Sequence, residues 1–244
     1  MLQAWVPSGS IAFGANGVGW SLSCEAFFYA LLPVVLPAIR QWSLTKVLSV
    51  SASWWLILTI ASTILLVLGG RFQLVAFTNP LIHSEEFFVG VAAALAMQRG
   101  WRPRLSLTAA AKFALGAYAA VMWLDVPTGG IGLLMALPFL AVIVSAAGAD
   151  LQGRRGWLPA KPLIYAGQVS YAFYLVHELV ILNLLGLLPD SLAKPVFAVI
   201  ALAVAISLAI ALHHLVELAA QRYLSRLMRS RTLHAESRVN VAET

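Results

Sequence analysis

Seven apolar runs, each close to the length needed to cross a lipid bilayer, leave this sequence little choice of fold. They fall at residues 20–39, 47–69, 80–98, 105–124, 130–147, 169–188 and 195–216. A helix that crosses the hydrocarbon core needs about 20 residues. In lipid its backbone N–H and C=O groups must be satisfied inside the segment, which a helix does. The expected fold is therefore all-α, a polytopic membrane helix bundle of about seven transmembrane helices. The fifth run is short, and the sixth is read as beginning as early as Leu163, with Gly167 and Gln168 breaking an interfacial turn from the span.

Composition agrees: 61% of residues are hydrophobic and 11% charged, against about 25% charged in soluble domains. A net charge of +6 raises the question of nucleic acid, but the cations sit in short loops between apolar runs or in the tail, where topology accounts for them. Of the 16 Lys and Arg residues, Arg71 and Lys194 fall on one side of the alternating loops and Lys112 lies near enough to the other to snorkel there. All the rest, from Arg40 to Arg238, share that other side, which the positive-inside rule makes cytoplasmic. This places the N-terminus outside and the C-terminus inside. Residues 1–19 carry no Lys or Arg, and Pro7, Gly9, Gly14 and Gly17 interrupt their apolar stretches, so they do not read as a signal peptide. A lone cysteine, Cys24, permits no internal disulfide. One domain is expected over residues 1–229. Its end carries Arg222, Arg226 and Arg229 on one face and Tyr223, Leu224, Leu227 and Met228 on the other, a basic amphipathic helix for the inner leaflet, and residues 230–244 form a polar, disordered tail.

Against this background the polar side chains inside the runs stand out, because an ionisable group in hydrocarbon costs roughly 2.5–3.5 kcal/mol on insertion scales. On the first run Ser21, Glu25 and Tyr29 are spaced i, i+4, i+8, an arc of roughly 80°. Trp20 suits the outer aromatic belt, which puts Glu25 about 7.5 Å further in. Glu25 is either a functional carboxylate or one that snorkels to the outer headgroups. Pro33 and Pro37 are expected to kink the inner half of this helix. On the third run Asn79 and Pro80 resemble an N-cap and N1 pair, followed by His83 and Glu86 one turn apart. Substrate binding and plain electrostatic capping both explain that pair. On the sixth run Gly167, Ser170, Tyr174, His177 and Glu178 fall within about 100° of arc, a stripe that reads equally as packing glue or as a cavity wall. His213, His214 and Glu217 invite a metal reading, but no further ligands have matching spacing and interfacial hydrogen bonding is preferred.

Three of these stretches together resemble the acyltransferase 3 family, bacterial integral membrane O-acyltransferases that decorate surface polysaccharides and related glycans. Trp20 to Tyr29 is similar to its W-S-L-x-x-E-x-x-F-Y helix, Glu86-Phe87-Phe88-Val89-Gly90 to its E-F-hydrophobic-hydrophobic-G helix start, and Pro162 to His177 to its R-P-L-x-x-x-G-x-x-S-Y-x-x-Y-L-x-H block. Val216-Glu217 resembles the start of its V-E-R-P ending, with Leu218 and Ala219 in place of Arg and Pro.

The resemblance implies transfer of an acyl group, acetyl by expectation, from cytosolic acyl-CoA to a hydroxyl of a surface glycan or lipid-linked sugar. It also implies a multi-pass protein of the inner, cytoplasmic membrane in contact with its lipids, with no bound cofactor, no metal and no nucleic acid. Glu25 and His177 become the candidate catalytic, proton-handling groups, and Ser21, Tyr29, His83, Glu86, Ser170 and Tyr174 the candidate substrate-binding groups. Arg99, Arg102, Arg104, Arg154 and Arg155 either meet the phosphates of CoA or simply obey the positive-inside rule.

Members open with a helix that carries a basic residue and, further on, the histidine taken as the catalytic base. No such helix stands in this sequence, which resembles only the later spans of the family, so a truncated member is expected. Complete members have both ends cytoplasmic, and removing an odd number of spans from the start puts the N-terminus outside, as the loop charges do independently. Two other readings are carried: a non-catalytic remnant or partner subunit, and a small-solute transporter, against which the lack of paired repeats argues.

Overall fold

In the computed structural model the described residues are 2–14, 16–124, 126, 128–153, 160–189, 191–223 and 225, and among them all regular structure is helical. Contacts divide the chain into two units, Met1–Trp157 and Leu158–Thr244.

The first unit starts with a 3₁₀ turn, Gln3–Trp5, and a short α1, Gly9–Ala12. Then come α2 (Gly19–Gln41), α3 (Leu44–Leu68), α4 (Arg71–Thr78), α5 (Pro80–Gln98), α6 (Leu107–Trp123) and α7 (Thr128–Leu151). The second unit holds α8 (Lys161–Leu187) and α9 (Lys194–Leu212), which continues into a π-helical turn, His213–Glu217. Six helical stretches are long and apolar enough to cross a membrane: Gly19–Gln41, Leu44–Leu68, Arg71–Gln98, Leu134–Leu151, Lys161–Leu187 and Lys194–Tyr223. A seventh, Leu107–Trp123, has 17 residues, at the lower edge of a spanning helix.

Local chemistry sets the helix starts. Ser43 Oγ accepts the Lys46 N–H at 3.3 Å and Ser106 Oγ the Ala109 N–H at 3.2 Å, so α3 and α6 begin on N-caps. Asn79 Oδ1 accepts the Leu81 N–H at 2.9 Å with Pro80 in the first turn of α5, as the sequence pattern predicts. Between α3 and α4 the chain turns through Gly69 and Gly70, with φ of 69° and 57°, values that favour glycine because it has no Cβ to clash.

Lipid supplies no hydrophobic force to drive helices together, so close packing of small residues and hydrogen bonds between helices must do it. In the first unit α3 and α2 both pack on α5 around a core of Ile39, Val47, Ala92 and Leu95. Phe28 of α2 stacks on Phe87 of α5 with centroids 4.8 Å apart and planes 8° from parallel. Gly148 of α7 lies so close to the loop after α5 that a Cβ on it would come within 2.6 Å of Pro103 Cγ. In the second unit Ala201, Ala205 and Ala209 of α9 are buried, and Ala209 packs with Val169 and Ala172 of α8.

Three sequence expectations need correction. The fifth run is no short helix: α7 covers 24 residues. The sixth begins at Lys161 and passes through Gly167 and Gln168 without a break. Pro162 in its first turn suits a helix start, and a single glycine inside a helix costs only about 1 kcal/mol. The stretch before the third run, read as loop, forms the separate helix α4. Helix α2 runs uninterrupted through Pro33 and Pro37. Of the expected amphipathic end, Arg222 and Tyr223 are helical and exposed, while Leu224, Arg226, Leu227, Met228, Arg229 and the tail 230–244 lie outside the described residues.

Candidate functional site

The break between α4 and α5 gathers the polar groups of the first unit. His83, one turn into α5, is held at both ring nitrogens. Its Nε2 lies 2.9 Å from the Phe77 carbonyl oxygen at the end of α4, and its Nδ1 lies 3.9 Å from Glu86 Oε2. Trp20, at the start of α2, covers the imidazole at a centroid distance of 5.3 Å and also meets Phe77 at 5.0 Å. The Cys24 thiol donates to the Thr78 carbonyl at 3.6 Å and pins α2 to the same break. Glu25 follows Cys24 on α2, and Glu86 adjoins Phe87, which stacks on Phe28 of α2, so the acidic positions of two separate sequence motifs lie on helices packed together.

Not every predicted member of the first stripe follows. Ser21 is half-buried and donates to the Val18 carbonyl at 3.0 Å, and Glu25 is half-buried, but Tyr29 is 72% exposed. An arc of about 80° is wide enough for one edge of a stripe to leave the face that the other edge buries.

Sequence reasoning missed the most deeply buried carboxylate among the described residues. Glu85 is 2% exposed, and its Oε2 accepts from Thr59 Oγ1 of α3 at 3.1 Å, whereas its neighbour Glu86 has a side chain 42% exposed. One step away the Trp54 indole donates to Ser84 Oγ at 3.0 Å. A polar seam thus joins α3 to α5. A signal for it exists in α3, where Ser51, Thr59 and Ser62 fall within about 80° of arc.

Beside Glu86 an apolar slot of about 500 Å³ runs between α5 and α7, with Trp55 of α3 on its wall. Val89, Gly90, Ala93, Ala94 and Met97 line the α5 side, and Gly132, Met135, Ala136 and Leu140 are among the α7 liners. Among the described wall residues Glu86 is the one charged. Gly132 leaves room for that carboxylate: a Cβ there would sit 3.9 Å from Glu86 Oε1. From Glu86 to Met97 the slot follows α5 for roughly 16 Å. A second groove of about 510 Å³ shares Trp55, Val89, Ala93 and Leu140 with it and reaches Leu44 and Trp101.

In the second unit Ser170 is exposed and donates to the Gly167 carbonyl at 2.7 Å. Tyr174 and His177 are half-buried, with His177 Nδ1 donating to the Tyr174 carbonyl at 2.8 Å and its ring stacked 5.7 Å from Phe173. That bond leaves Nε2 as the basic nitrogen. His213 Nδ1 donates to Glu217 Oε2 at 2.7 Å across the π-helical turn, and the Tyr165 hydroxyl meets His214 Nε2 at 3.1 Å. Among the described residues no group of three or more His, Cys, Asp or Glu is arranged to hold a metal ion. Arg99 and Arg102 donate to main-chain carbonyls, of Arg40 and of Met97 and Trp101 respectively. Arg104 is exposed, and Arg154 and Arg155 lie outside the described residues.

Comparison with known proteins assigns the family. Residues 2–214 match the family model described as an acyltransferase domain. Acyltransferase MdmB of Streptomyces mycarofaciens is 30% identical over 198 residues, which cover 74% of this chain and 49% of that protein. The chain thus spans about half the length of the curated relative it matches. No solved structure matches it. With the family model covering most of its length and six helices of membrane-crossing character, the chain is a multi-pass membrane protein that belongs to the acyltransferase 3 family.

Proposed function

We propose that this chain carries out part or all of the transfer of an acyl group, acetyl in the simplest case, from cytosolic acyl-CoA to a hydroxyl of a surface glycan or a lipid-linked sugar. The observation that carries this reading is the juxtaposition in the first unit of an imidazole and carboxylate pair, His83 and Glu86, with the end of an apolar slot. Acyl transfer needs a proton acceptor for the hydroxyl, polar groups to steady the oxyanion, and a dry place for the acyl group. The slot and pair supply the first and the last.

The loop charges favour the cytoplasmic membrane, with the N-terminus outside. On that topology His83 and Glu86 lie toward the outer face, where an extracytoplasmic sugar arrives, and the slot and its companion groove descend toward the side from which acyl-CoA comes. Glu25, Ser21 and Tyr29 in the first unit, and His177, Ser170 and Tyr174 in the second, are the further groups this reading assigns to proton handling and substrate orientation. The whole is read as one acyltransferase domain without a bound cofactor.

Expression of the complete natural reading frame in a host lacking the activity, followed by mass spectrometry of its surface and lipid-linked glycans, tests the proposal. The expected result is a gain of one acyl mass on a sugar. Glycans of unchanged mass, with the protein present in the membrane, would favour a non-catalytic remnant or partner subunit instead.

A further inference from the structure

The geometry points to the Trp55 indole N–H as the hydrogen-bond donor for the thioester carbonyl oxygen, and for the oxyanion that oxygen becomes, at the junction of the apolar slot and its companion groove. The inference rests on the acyl-transfer reading and supplies the polar group for the oxyanion that the slot and the His83–Glu86 pair leave unassigned.

An indole nitrogen carries a hydrogen and no lone pair for accepting, so it can only donate. Trp54 Nε1 meets that demand through Ser84 Oγ at 3.0 Å. The next residue does not: Trp55 Nε1 is buried and has no partner. Buried polar groups are nearly always hydrogen-bonded, so such a donor calls for an explanation. Among the described residues the other buried side-chain atoms in this state are the hydroxyls of Ser23 and Ser145 and one oxygen of Glu217, and none of these lines either cavity. Trp55 lines both.

Helices α3 and α5 run in opposite directions, with Thr59 against Glu85 and Trp55 sharing both cavity walls with Val89. Val89 lies about 4.5 Å along the axis beyond Glu86. Trp55 therefore stands about one turn from the carboxylate end of the slot, where the slot meets the groove that reaches Leu44 and Trp101. A thioester is itself a junction: the acyl group leaves its carbonyl carbon on one side, and the pantetheine limb leaves its sulfur on the other. With the acyl group in the slot and the limb in the groove, the carbonyl falls at Trp55. Among the described wall residues of the slot Trp55 carries the one side-chain donor, and Glu86 contributes only carboxylate oxygens. An N–H held away from water needs no solvent reorganisation when charge develops beside it.

In the reaction the acceptor hydroxyl oxygen bonds to the carbonyl carbon, and the C=O π pair moves onto the oxygen that faces Trp55. The indole donates a hydrogen bond and transfers no proton. On collapse that pair re-forms the C=O bond, the C–S bond breaks with its electrons on sulfur, and the hydroxyl proton, carried by the general base of the reaction, ends on the CoA sulfur. The products are an O-acyl sugar and CoA thiol, with no change of oxidation state.

Two measurements on the product of the complete natural reading frame test this. Trp55→Phe keeps an aromatic ring and removes the N–H. Its kcat should fall by about 10²–10³-fold while KM for acetyl-CoA stays near the wild-type value, because the bond tightens as charge develops. A purely structural tryptophan would instead lower the thermal midpoint and leave kcat of the folded protein unchanged. Wild-type kcat in folded Trp55→Phe would overturn the proposal and leave the acyltransferase reading standing. The second measurement follows ¹⁵N-labelled tryptophan in the wild type. The ketone analogue of acetyl-CoA in which CH2 replaces sulfur should move one indole N–H signal downfield, the signal absent from Trp55→Phe, and ethyl-CoA, which lacks the carbonyl, should not. If Trp55→Phe does not fold, Trp55→Tyr identifies the same signal. Equal shifts with both ligands, or none while calorimetry shows both bound, would overturn the assignment. A wild-type chain that binds neither ligand and transfers nothing would remove the acyltransferase reading with it.

Discussion

Thr59→Val offers a direct test of the polar seam between α3 and α5. The substitution keeps the shape of the side chain and deletes the hydroxyl that Glu85 Oε2 accepts at 3.1 Å. Glu85 is 2% exposed, so water has no route to replace the lost donor. Leaving a buried acceptor without its partner costs about 1–3 kcal/mol in soluble proteins. Interhelical hydrogen bonds in membranes average about 0.6 kcal/mol, and at most about 1.7, because the unfolded chain in lipid also finds partners. Since burial is nearly complete, the upper part of the membrane range applies, and a loss of about 1–1.7 kcal/mol is expected. The assay is SDS-induced unfolding in mixed micelles followed by tryptophan fluorescence, with Trp54 in the same seam as a reporter. Thr59→Ser should resemble wild type. In a Glu85→Ala background, Thr59→Val should cost less than it does alone, since the pair is coupled. A Thr59→Val chain within about 0.3 kcal/mol of wild type would refute the claim that this bond helps hold α3 to α5.

Other outcomes follow from the same geometry. Gly148→Ala places a methyl group 2.6 Å from Pro103 Cγ; it should lower stability by about 1–3 kcal/mol through overpacking, read in the same unfolding assay. Ala93→Phe fills the wall shared by the slot and its companion groove; competition between octanoyl-CoA and acetyl-CoA should then shift toward acetyl by about 10-fold or more, given about 1–3 kcal/mol per methylene in an apolar pocket, and an unaltered preference would mean the acyl group lies elsewhere. Glu25→Gln and His177→Ala should each reduce acyl transfer by about 10²-fold if they handle protons, and glycan acylation at the wild-type level would reject those roles.

Much of this protein is legible in its sequence, and the limit is instructive. Asn79 and Pro80 announce the start of α5 because capping is a local matter of side chain to nearby N–H. The pairing of His83 with Glu86 is equally local, three residues apart on one helix. Glu85 and Glu86 differ by one position, and nothing within α5 says which carboxylate meets α3. The decision belongs to Thr59, 26 residues away in sequence. Tyr29 shares an arc with Ser21 and Glu25 but stays exposed, because its helix buries Ser23 and Cys24 instead. Nothing in the sequence of α9 distinguishes one alanine from another, and only packing singles out Ala209, set against Val169 and Ala172.

Sequence alone established that the chain is helical and rich in membrane-spanning runs, and which motifs tie it to its family, because backbone satisfaction in lipid and helix capping act over short stretches of chain. Tertiary structure alone decided which carboxylate is buried, which carbonyl His83 Nε2 meets, and that an apolar slot ends at Glu86. Those outcomes depend on which helix faces which, and in lipid that choice is made by close packing and hydrogen bonds between distant segments, not by the hydrophobic pattern that all the spans share.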